Sequence, residues 1–581
     1  MPGKELYISD FERCFPQDAL SWREQDGLWL LRRYKAGFRE GTMLTAGYMN
    51  RVPDVIYPLK EEGWYGIWVG VYSPDDLEVR FELRLTGDRF PRTASARRYM
   101  YAAYGWIQEE FWKYADLTGQ QIVVSKPEKS RAYLVYVKVK PLAEEEVEEV
   151  KMDRRQLETK VCGVVCDLSG ALGGDGPPYT PDRVQRILDP YIGTDFRKFC
   201  WWAMDGERCL YHTRVGTVMG EGQTRFFIPL YKYEAEFMAA SLREGWDPLR
   251  VAVDYAHEKG LELWINFRMA HTYALGQYDD NFTGRFQMEH QNLRCVDRNG
   301  NPNPHLSYAY GEVRAYKTAL LKEQAEYGVD GVYLDFTSGP PYVLYEQPLI
   351  DGFKREYGED PRKLSNTLDP RWLRYRSGSM TVFMRGLRKA LDEAGQGLGR
   401  RIPTAAQVSC EVVFGPDPHC YKIDENLVWG LDLKTWVKEG LIDFMAPSKR
   451  WLYVDMPIHY FKNLTEGTEC KLWPCIAPVS FSLYPDDYDW LAYFGERKGP
   501  AKLWAELDGR RLARLANDLY NQGADGLFLW EGGNPGISTR WHILSRVGHR
   551  KELLEEYGMK IGRYDGYPMG IVERDVKFLE E

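Results

Sequence analysis

The chain has 581 residues, of which 44% are hydrophobic and 28% charged, and its net charge is -9. This balance is typical of a globular protein, and the length leaves room for two to four domains. The mild acidity excludes the basic footprint of a nucleic-acid-binding protein, and no apolar run is long enough to span a membrane, so we expect neither partner.

The N-terminal segment and the cysteines indicate the compartment. MPGKELYISDFERCF contains no apolar signal core, so we expect a cytoplasmic protein, or a secreted one whose signal peptide has been removed. The ten cysteines are scattered, with no CxxC pair and no zinc-ligand spacing. They are interpreted as buried thiols of a reducing compartment, and the sequence predicts no metal and no organic cofactor.

Residues 1–150 have the pattern of an all-β module. GWYGIWVGVYSPDDLEVRFELRLTGDRF is rich in β-branched and aromatic residues, and its second half alternates apolar with polar positions. QQIVVSKP and RAYLVYVKVKPL add two more strands. We predict an N-terminal β-sandwich accessory domain, followed by a solvated acidic linker, Ala143 to Arg155. The sandwich either binds sugar itself or packs on the barrel, and the position of its aromatic residues inside strands favours packing.

From residue 156 to residue 581 short apolar strands alternate with helices. The clearest helix is DPLRVAVDYAHEKG, which Asp247 caps, Pro248 opens and Gly260 closes. Thr180 and Pro181 mark the start of another helix in the same way. Eight apolar runs are predicted as strands, and they are VCGVVCDLSG, KFCWWAMDG, LELWINFRM, VDGVYLDF, IPTAAQVSCEVVF, LIDFMAPS, KLWPCIAPVS and GADGLFLWEGG.

Eight strand–helix units predict a closed (β/α)₈ barrel. One helix between successive strands implies parallel pairing through right-handed crossovers. Long loops follow the third strand, Ala270 to His305, and the fourth strand, Thr337 to about Asp369. In such barrels the loops that follow the strands build the active site. The residues at the carboxyl ends of the strands are therefore the candidates for function.

Asp335 raises the central question, because it ends the buried fourth strand in GVDGVYLDFTSGPP. A carboxylate there must be paired or used, since an isolated buried charge is costly. It either caps the following loop or is presented at the rim of a pocket. Glu411, near the end of the fifth strand, either pairs with a basic neighbour or acts as a second carboxylate. Hydrolysis of a glycosidic bond requires two such groups across a cleft.

Other strand-end residues are candidates for substrate binding. Asn266 and Arg268 end the third strand and carry groups that hydrogen-bond to sugar hydroxyls. His271 lies in the loop that follows them. The remaining candidates are two acids after the first two strands, a third acid after the eighth, and two tryptophans suited to stacking on a sugar ring: Asp167, Asp205, Glu531, Trp451 and Trp530.

Three segments resemble bacterial glycoside-hydrolase-like TIM barrels, the family-10-like glycosyl hydrolases. They are YAHEKGLELWINFRM, AYGEVRAYKTALLKEQAEYGVDGVYLDF and GLDLKTWVKEGLIDFMAPS, and the resemblance runs from about Val161 to Tyr557. In the wider α-amylase and α-galactosidase-like superfamily the fourth-strand aspartate is the nucleophile. In the α-amylase clan the fifth strand carries the acid/base glutamate.

The resemblance therefore implies Asp335 as nucleophile and Glu411 as acid/base of an O-glycosyl hydrolase. The sixth strand, DFMAPSKR, departs from the α-galactosidase pattern because it has no strand-end carboxylate. Two alternatives stay open. One is a sialidase-like inverting enzyme that uses an aspartate–histidine pair on an acidic sugar, favoured by Arg268, Arg285 and Lys449 if they cluster. The other is a non-catalytic carbohydrate-binding barrel. The sugar, linkage, stereochemistry and oligomeric state are not readable from the sequence.

Overall fold

The structure is a computed structural model of the 581-residue chain. It describes residues 5–74, 79–96, 105–166, 168, 171–174, 176–226, 228–270, 279–414, 421–448, 456–477, 479–481, 504–506, 509–530, 535–555, 571–573 and 576–579. The described residues form an N-terminal pair of mainly antiparallel sheets and a parallel barrel, which confirms the predicted fold class.

Within the described residues, eleven strands precede the first α-helix. They are β1 (Leu6–Ile8), β2 (Leu20–Ser21), β3 (Trp29–Ala36), β4 (Arg39–Ala46), β5 (Val55–Tyr57), β6 (Trp64–Ser73), β7 (Val79–Leu85), β8 (Arg92–Ala96), β9 (Trp106–Asp116), β10 (Ile122–Ser125) and β11 (Ala132–Pro141). One sheet has the order β2-β3-β4-β11-β6-β9, and the other has the order β5-β10-β7-β8.

The two sheets enclose an apolar core, as a β-sandwich does. Val69 on β6 and Leu134 on β11 come from the first sheet, and Phe81 on β7 and Val124 on β10 from the second; all four are fully buried. The alternation read in VRFELRL is observed directly, because every second residue of β7 is buried.

The acidic run after the sandwich, predicted as a solvated linker, forms a helix, α1 (Glu144–Arg155), and none of its residues is buried. Three glutamates in the first turn and two arginines in the last match the helix dipole. This placement of charges suits a helix that is exposed to solvent along its length.

The barrel contains the eight predicted parallel strands. In chain order they are β12 (Cys162–Val165), β13 (Phe196–Trp202), β17 (Glu262–Arg268), β20 (Gly331–Asp335), β21 (Thr404–Ser409), β24 (Phe444–Ser448), the split strand β25 (Lys471–Leu472) and β26 (Cys475–Ile476), and β29 (Leu527–Trp530). The seventh strand is split at Pro474, which has no N–H. Its first half pairs with β24 and its second half with β29, so the split strand closes the barrel.

Helices follow each strand and cover the barrel. They are α2 (Pro181–Leu188), α3 (Pro229–Glu244), α4 (Pro248–Glu258), α5 (Asp279–Phe282), α6 (Arg285–Glu289), α7 (Gly311–Ala325), α8 (Gln347–Tyr357), α9 (Pro370–Leu398), α10 (Glu425–Val428), α11 (Leu433–Lys438), α12 (Ile458–Thr465), α13 (Gly509–Asn521), α14 (Thr539–Leu544) and α15 (Arg550–Glu555). Asp247 caps α4 as predicted, accepting from the amides of Leu249 and Arg250, whereas the Thr180 side chain makes no cap to α2.

The remaining described strands are short and lie in the loops and near the C-terminus. They are β14 (Met204–Asp205), β15 (Arg208–Cys209), β16 (Thr217–Val218), β18 (Arg294–Val296), β19 (Pro302–Leu306), β22 (Val412–Phe414), β23 (Tyr421–Asp424), β27 (Val479–Phe481), β28 (Trp504–Glu506), β30 (Ile571–Glu573) and β31 (Val576–Phe578). Strands β30 and β31 pair with β9 and β3 of the N-terminal sheet. The predicted domain limits, residues 1–150 and 156–581, stay a prediction.

Candidate active site at the barrel mouth

The carboxyl ends of the barrel strands bring polar and aromatic side chains into register. Side chains alternate along a strand, so residues of one parity face the barrel interior. On the strands from β13 to β24 the paired positions near the mouth are Trp202 with Asn266, Arg268 with Asp335, Asp335 with Gln407, and Ser409 with Ser448.

Asp335 is fully buried and held by the loop that follows it. Its Oδ1 accepts hydrogen bonds from the Thr337 amide at 2.8 Å, the Thr337 hydroxyl at 2.9 Å and the Ser338 amide at 3.1 Å. Its Oδ2 accepts one from the Ser338 hydroxyl. The Thr-Ser sequence therefore fixes the carboxylate, and the start of the loop is fixed in return.

Arg268 supplies the opposite charge. Its Nε lies 3.8 Å from Oδ2 of Asp335, and both side chains are almost completely buried. The guanidinium lies 4.1 Å from the ring centroid of Trp202 and 5.6 Å from that of Trp530. The two tryptophans and the carboxylate thus hold a planar cation in the centre of the mouth.

Two side-chain amides flank the strand that carries Asp335. Asn266 is 1% exposed, and within the described part of the chain neither of its amide atoms has a hydrogen-bond partner. Gln407 is fully buried; its Oε1 accepts from the Tyr333 hydroxyl at 3.0 Å, while its Nε2 has no partner among the described residues. Burial raises the pKa of Tyr333 well above its ordinary value, so this hydroxyl stays a donor.

Glu411 lies just beyond the fifth strand and is exposed. Its amide donates to the Ser409 hydroxyl at 3.1 Å, and that hydroxyl donates to the Glu425 carboxylate. Asn426 braces the same turn, accepting from the Ser409 amide and donating to its carbonyl, each at 2.9 Å. The Glu425 amide also donates to the carbonyl of Glu411 at 3.3 Å, so a second glutamate lies at the end of β21, where the sequence predicted one.

Of the remaining predicted residues, two are described by the structure and four are not. Asp205 is buried in the small sheet formed by β14, β15 and β16, opposite Arg208. Trp530 ends β29 and is 1% exposed, so it contacts Arg268 with its ring and presents no open face. The predicted sites at Asp167, His271, Trp451 and Glu531 lie outside the described residues.

The described members of the expected basic cluster do not support an acidic sugar. Arg268 is matched by Asp335, and exposed Arg285 lies 3.7 Å from Glu221. His290 stacks on Phe286 and bonds to its carbonyl oxygen at 2.8 Å. Lys449 lies outside the described residues.

Sequence reasoning missed Trp202, Gln407, Ser338 and Glu425. Gln407 could have been found from the alternation of side chains along β21, since it occupies the position paired with Asp335. We searched the strand ends for carboxylates, and such a search does not find an amide or a tryptophan. Glu425 is 14 positions from Glu411 in the sequence and reaches β21 only because β22 and β23 fold back as a hairpin.

Within the described ranges no cluster of three His, Cys, Asp or Glu side chains is arranged to hold a metal ion. No helix in that part of the chain combines the length and the apolar character needed to cross a bilayer.

Comparison with known proteins confirms the resemblance read from the sequence. Residues 216–458 match the model of the family described as Glycosyl hydrolase-like 10. The matched segment contains β17, β20, β21 and β24 and therefore most of the described mouth. No curated protein sequence matches the chain.

Solved structures of glycoside hydrolases are similar to this chain at low identity. α-L-Fucosidase isoenzyme 2 from Paenibacillus thiaminolyticus aligns with a TM-score of 0.39 and 11% identity, covering 68% of this chain and 49% of the fucosidase, about half its length. A family 18 N-acetylglucosaminidase from Paenibacillus barengoltzii has a TM-score of 0.33 and 13% identity, with 66% and 98% coverage. A chitinase from Chromobacterium violaceum has a TM-score of 0.31 and 12% identity, also with 66% and 98% coverage.

Proposed function

We propose that the protein is a glycoside hydrolase that cleaves O-glycosidic bonds of an oligo- or polysaccharide at the mouth of the barrel. One observation carries the proposal: a fully buried, rigidly held carboxylate, Asp335, faces a tryptophan-stacked arginine at the end of the fourth barrel strand. The match of residues 216–458 to a glycosyl hydrolase-like family supports the same class.

The hydrogen bonds of Asp335 identify which of its oxygens would react. An ionised carboxylate offers about four lone-pair sites. Oδ1 accepts three hydrogen bonds and is saturated, whereas within the described residues Oδ2 accepts one, from Ser338. Oδ2 is therefore the atom with capacity left to act on an anomeric carbon or to stabilise positive charge that develops there.

Glu411 is proposed as the acid/base. It lies four residues beyond Gln407, the register partner of Asp335, and is exposed at the rim. A group at the rim is placed to protonate a leaving oxygen that departs towards solvent. Carboxyl separations of about 5–5.5 Å give retention and about 6.5–9.5 Å inversion, so the first-formed anomer reports how the two groups cooperate.

The test compares Asp335→Asn with Thr337→Val in hydrolysis of a panel of aryl glycosides. We expect Asp335→Asn to lower turnover per folded molecule by about 10³-fold or more, equivalent to about 4 kcal/mol of transition-state stabilisation. The amide cannot accept every hydrogen bond that the carboxylate accepts, so its melting temperature should also fall.

Thr337→Val is the matched control, because it removes one donor to Asp335 and keeps the carboxylate. It should lower the melting temperature and leave turnover nearly unchanged. Near-wild-type turnover of the folded Asp335→Asn variant would reduce Asp335 to a loop cap and overturn its catalytic assignment.

A non-catalytic carbohydrate-binding barrel is the second candidate. The four hydrogen bonds that Asp335 accepts all come from Thr337 and Ser338 of its own loop, a pattern that a structural cap shares. This second candidate predicts saccharide binding without hydrolysis by the wild type and an unchanged Kd for Asp335→Asn.

A further inference from the structure

The unpaired amides of Asn266 and Gln407 are the feature of the mouth that no hydrogen bond within the described residues explains. Both residues lie in barrel strands, are at most 1% exposed, and keep amide atoms without a partner in that part of the chain. Buried polar groups are normally satisfied, and each exception calls for an explanation. Their retention inside the barrel points to a ligand.

We infer that Asn266 and Gln407 form a subsite for an uncharged sugar ring on the two sides of Asp335. This inference rests on the proposed function, because it takes the ligand of the mouth to be a carbohydrate. It adds a residue, Gln407, and a substrate class, neutral sugars, to that function.

The geometry orients the Gln407 amide for binding. The Tyr333 hydroxyl donates to Oε1 at 3.0 Å, so the two N–H groups of Nε2 are the free end. Asn266 adds one acceptor and two donors from β17, on the other side of β20. A ring with adjacent hydroxyl groups, each both donor and acceptor, satisfies such a set.

The charges around the amides select an uncharged ligand. Arg268 and Asp335 are the charged groups on the neighbouring register positions, and they lie 3.8 Å apart and compensate each other. Among the described residues of the mouth, a carboxylate on the sugar would meet Asp335 while the neighbouring arginine, Arg268, already faces that carboxylate. An acidic sugar therefore pays a desolvation cost that a neutral one avoids.

The test measures binding and stability together in the full-length protein. The probes are cellotriose, tri-N-acetylchitotriose and trigalacturonic acid, titrated by calorimetry. Asn266→Leu keeps the branched shape of the side chain and removes its polar atoms. We expect the wild type to bind a neutral probe and not the acid, and Asn266→Leu to raise the Kd at least tenfold without lowering the melting temperature.

Gln324→Met is the matched control. Gln324 on α7 is also fully buried with both amide atoms unpaired among the described residues, but it lies outside the barrel strands. Its substitution should likewise leave the melting temperature unlowered, and the Kd should not change. If Asn266 serves ligand binding, the Kd should rise in Asn266→Leu and stay the same in Gln324→Met. Neither change should lower the melting temperature, because removal of an unsatisfied buried amide does not harm the fold.

Three results would overturn the inference: no neutral probe binds the wild type, trigalacturonic acid binds as tightly as the neutral probes, or Asn266→Leu keeps its affinity. If Asn266→Leu had a lower melting temperature and an unchanged Kd, the Asn266 amide would bind a buried water and not a ligand. The outcome is separable from that of the proposed function. If the wild type bound a neutral sugar but did not hydrolyse it, the subsite would be supported and the proposed hydrolase activity would be wrong. If Asn266→Leu hydrolysed substrate as fast as the wild type, the hydrolase activity would be supported and the subsite would be wrong.

Discussion

At the scale of single residues, a partly buried ion cluster joins helix α1 to the last barrel helices. His549 lies between two carboxylates, with Nδ1 2.8 Å from Asp195 and Nε2 2.6 Å from Asp153. Arg546 also binds Asp153, at 2.6 Å, and Glu552. Burial alone would lower the pKa of His549, but the hydrogen bonds to Asp153 and Asp195 raise it to about 9.

This cluster predicts a loss of stability in mildly alkaline solution. The folded-state pKa of His549 lies above its unfolded value of 6.5, so its contribution is complete below about pH 6.5 and is lost as the pH rises through about 9. We expect the free energy of unfolding to fall by about 1–3 kcal/mol across that interval. Urea unfolding at a series of pH values measures it.

His549→Gln is the variant that should flatten this pH dependence. Asp153 does not interfere, because its pKa is lowered and it stays ionised throughout the interval. His542 does not titrate there either, since burial lowers its pKa to about 4. Burial lowers the pKa of Lys160, so deprotonation of Lys160 would make stability rise with pH and cannot produce the expected fall. If the free energy of unfolding of His549→Gln fell with pH as steeply as that of the wild type, His549 would not be the titrating group.

At the scale of elements, the strands of the barrel were readable from the sequence and the interior packing was not. VYLD and its counterparts are short apolar runs between turn residues, which is the signature of buried parallel strands. That Gly331 makes room for the ring of Trp264, and Gly163 for that of Phe528, depends on which residues become neighbours after closure. The same limit explains why Asp335 was predictable as a strand end and its amide neighbour Gln407 was not.

The glycines of the barrel interior give a prediction about packing. A Cβ on Gly331 would lie 2.5 Å from ring atoms of Trp264, closer than any real contact. Gly331→Ala should therefore destabilise the protein by about 1–3 kcal/mol, seen as a lower urea midpoint. Gly386→Ala on α9, where a Cβ meets nothing within 4 Å, should instead stabilise by up to about 1 kcal/mol. A Gly331→Ala midpoint equal to that of the wild type would mean that the ring moves at no cost.

At the scale of the whole molecule, the N-terminal sandwich and the barrel are tied together at several points. The Arg92 guanidinium binds Asp189 through its carbonyl at 3.0 Å and its carboxylate at 3.1 Å. The Ile537 amide donates to the carbonyl of Thr93, which pins the segment after the eighth strand to β8. Phe111 of β9 packs on His542 of α14 at a ring distance of 4.7 Å. These contacts join the sandwich to the barrel, and the packing role expected of the sandwich stays a prediction.

The C-terminal strands extend this connection, because β30 pairs with β9 and β31 with β3, two strands far apart in the order of the first sheet. Deleting residues 571–581 should leave β3 and β9 with unpaired backbone groups and separate Phe578 from Tyr72, which it contacts at 5.5 Å. We expect a lower melting temperature and faster amide hydrogen exchange confined to β3 and β9, with the barrel strands unchanged. Removing only Glu580 and Glu581 is the control, since it keeps both strand pairings.

Two outcomes would contradict this prediction. Unchanged hydrogen exchange in β3 and β9 of the longer deletion would show that the sandwich is stable without residues 571–581. Faster exchange in the barrel strands would show that the sandwich and the barrel unfold together.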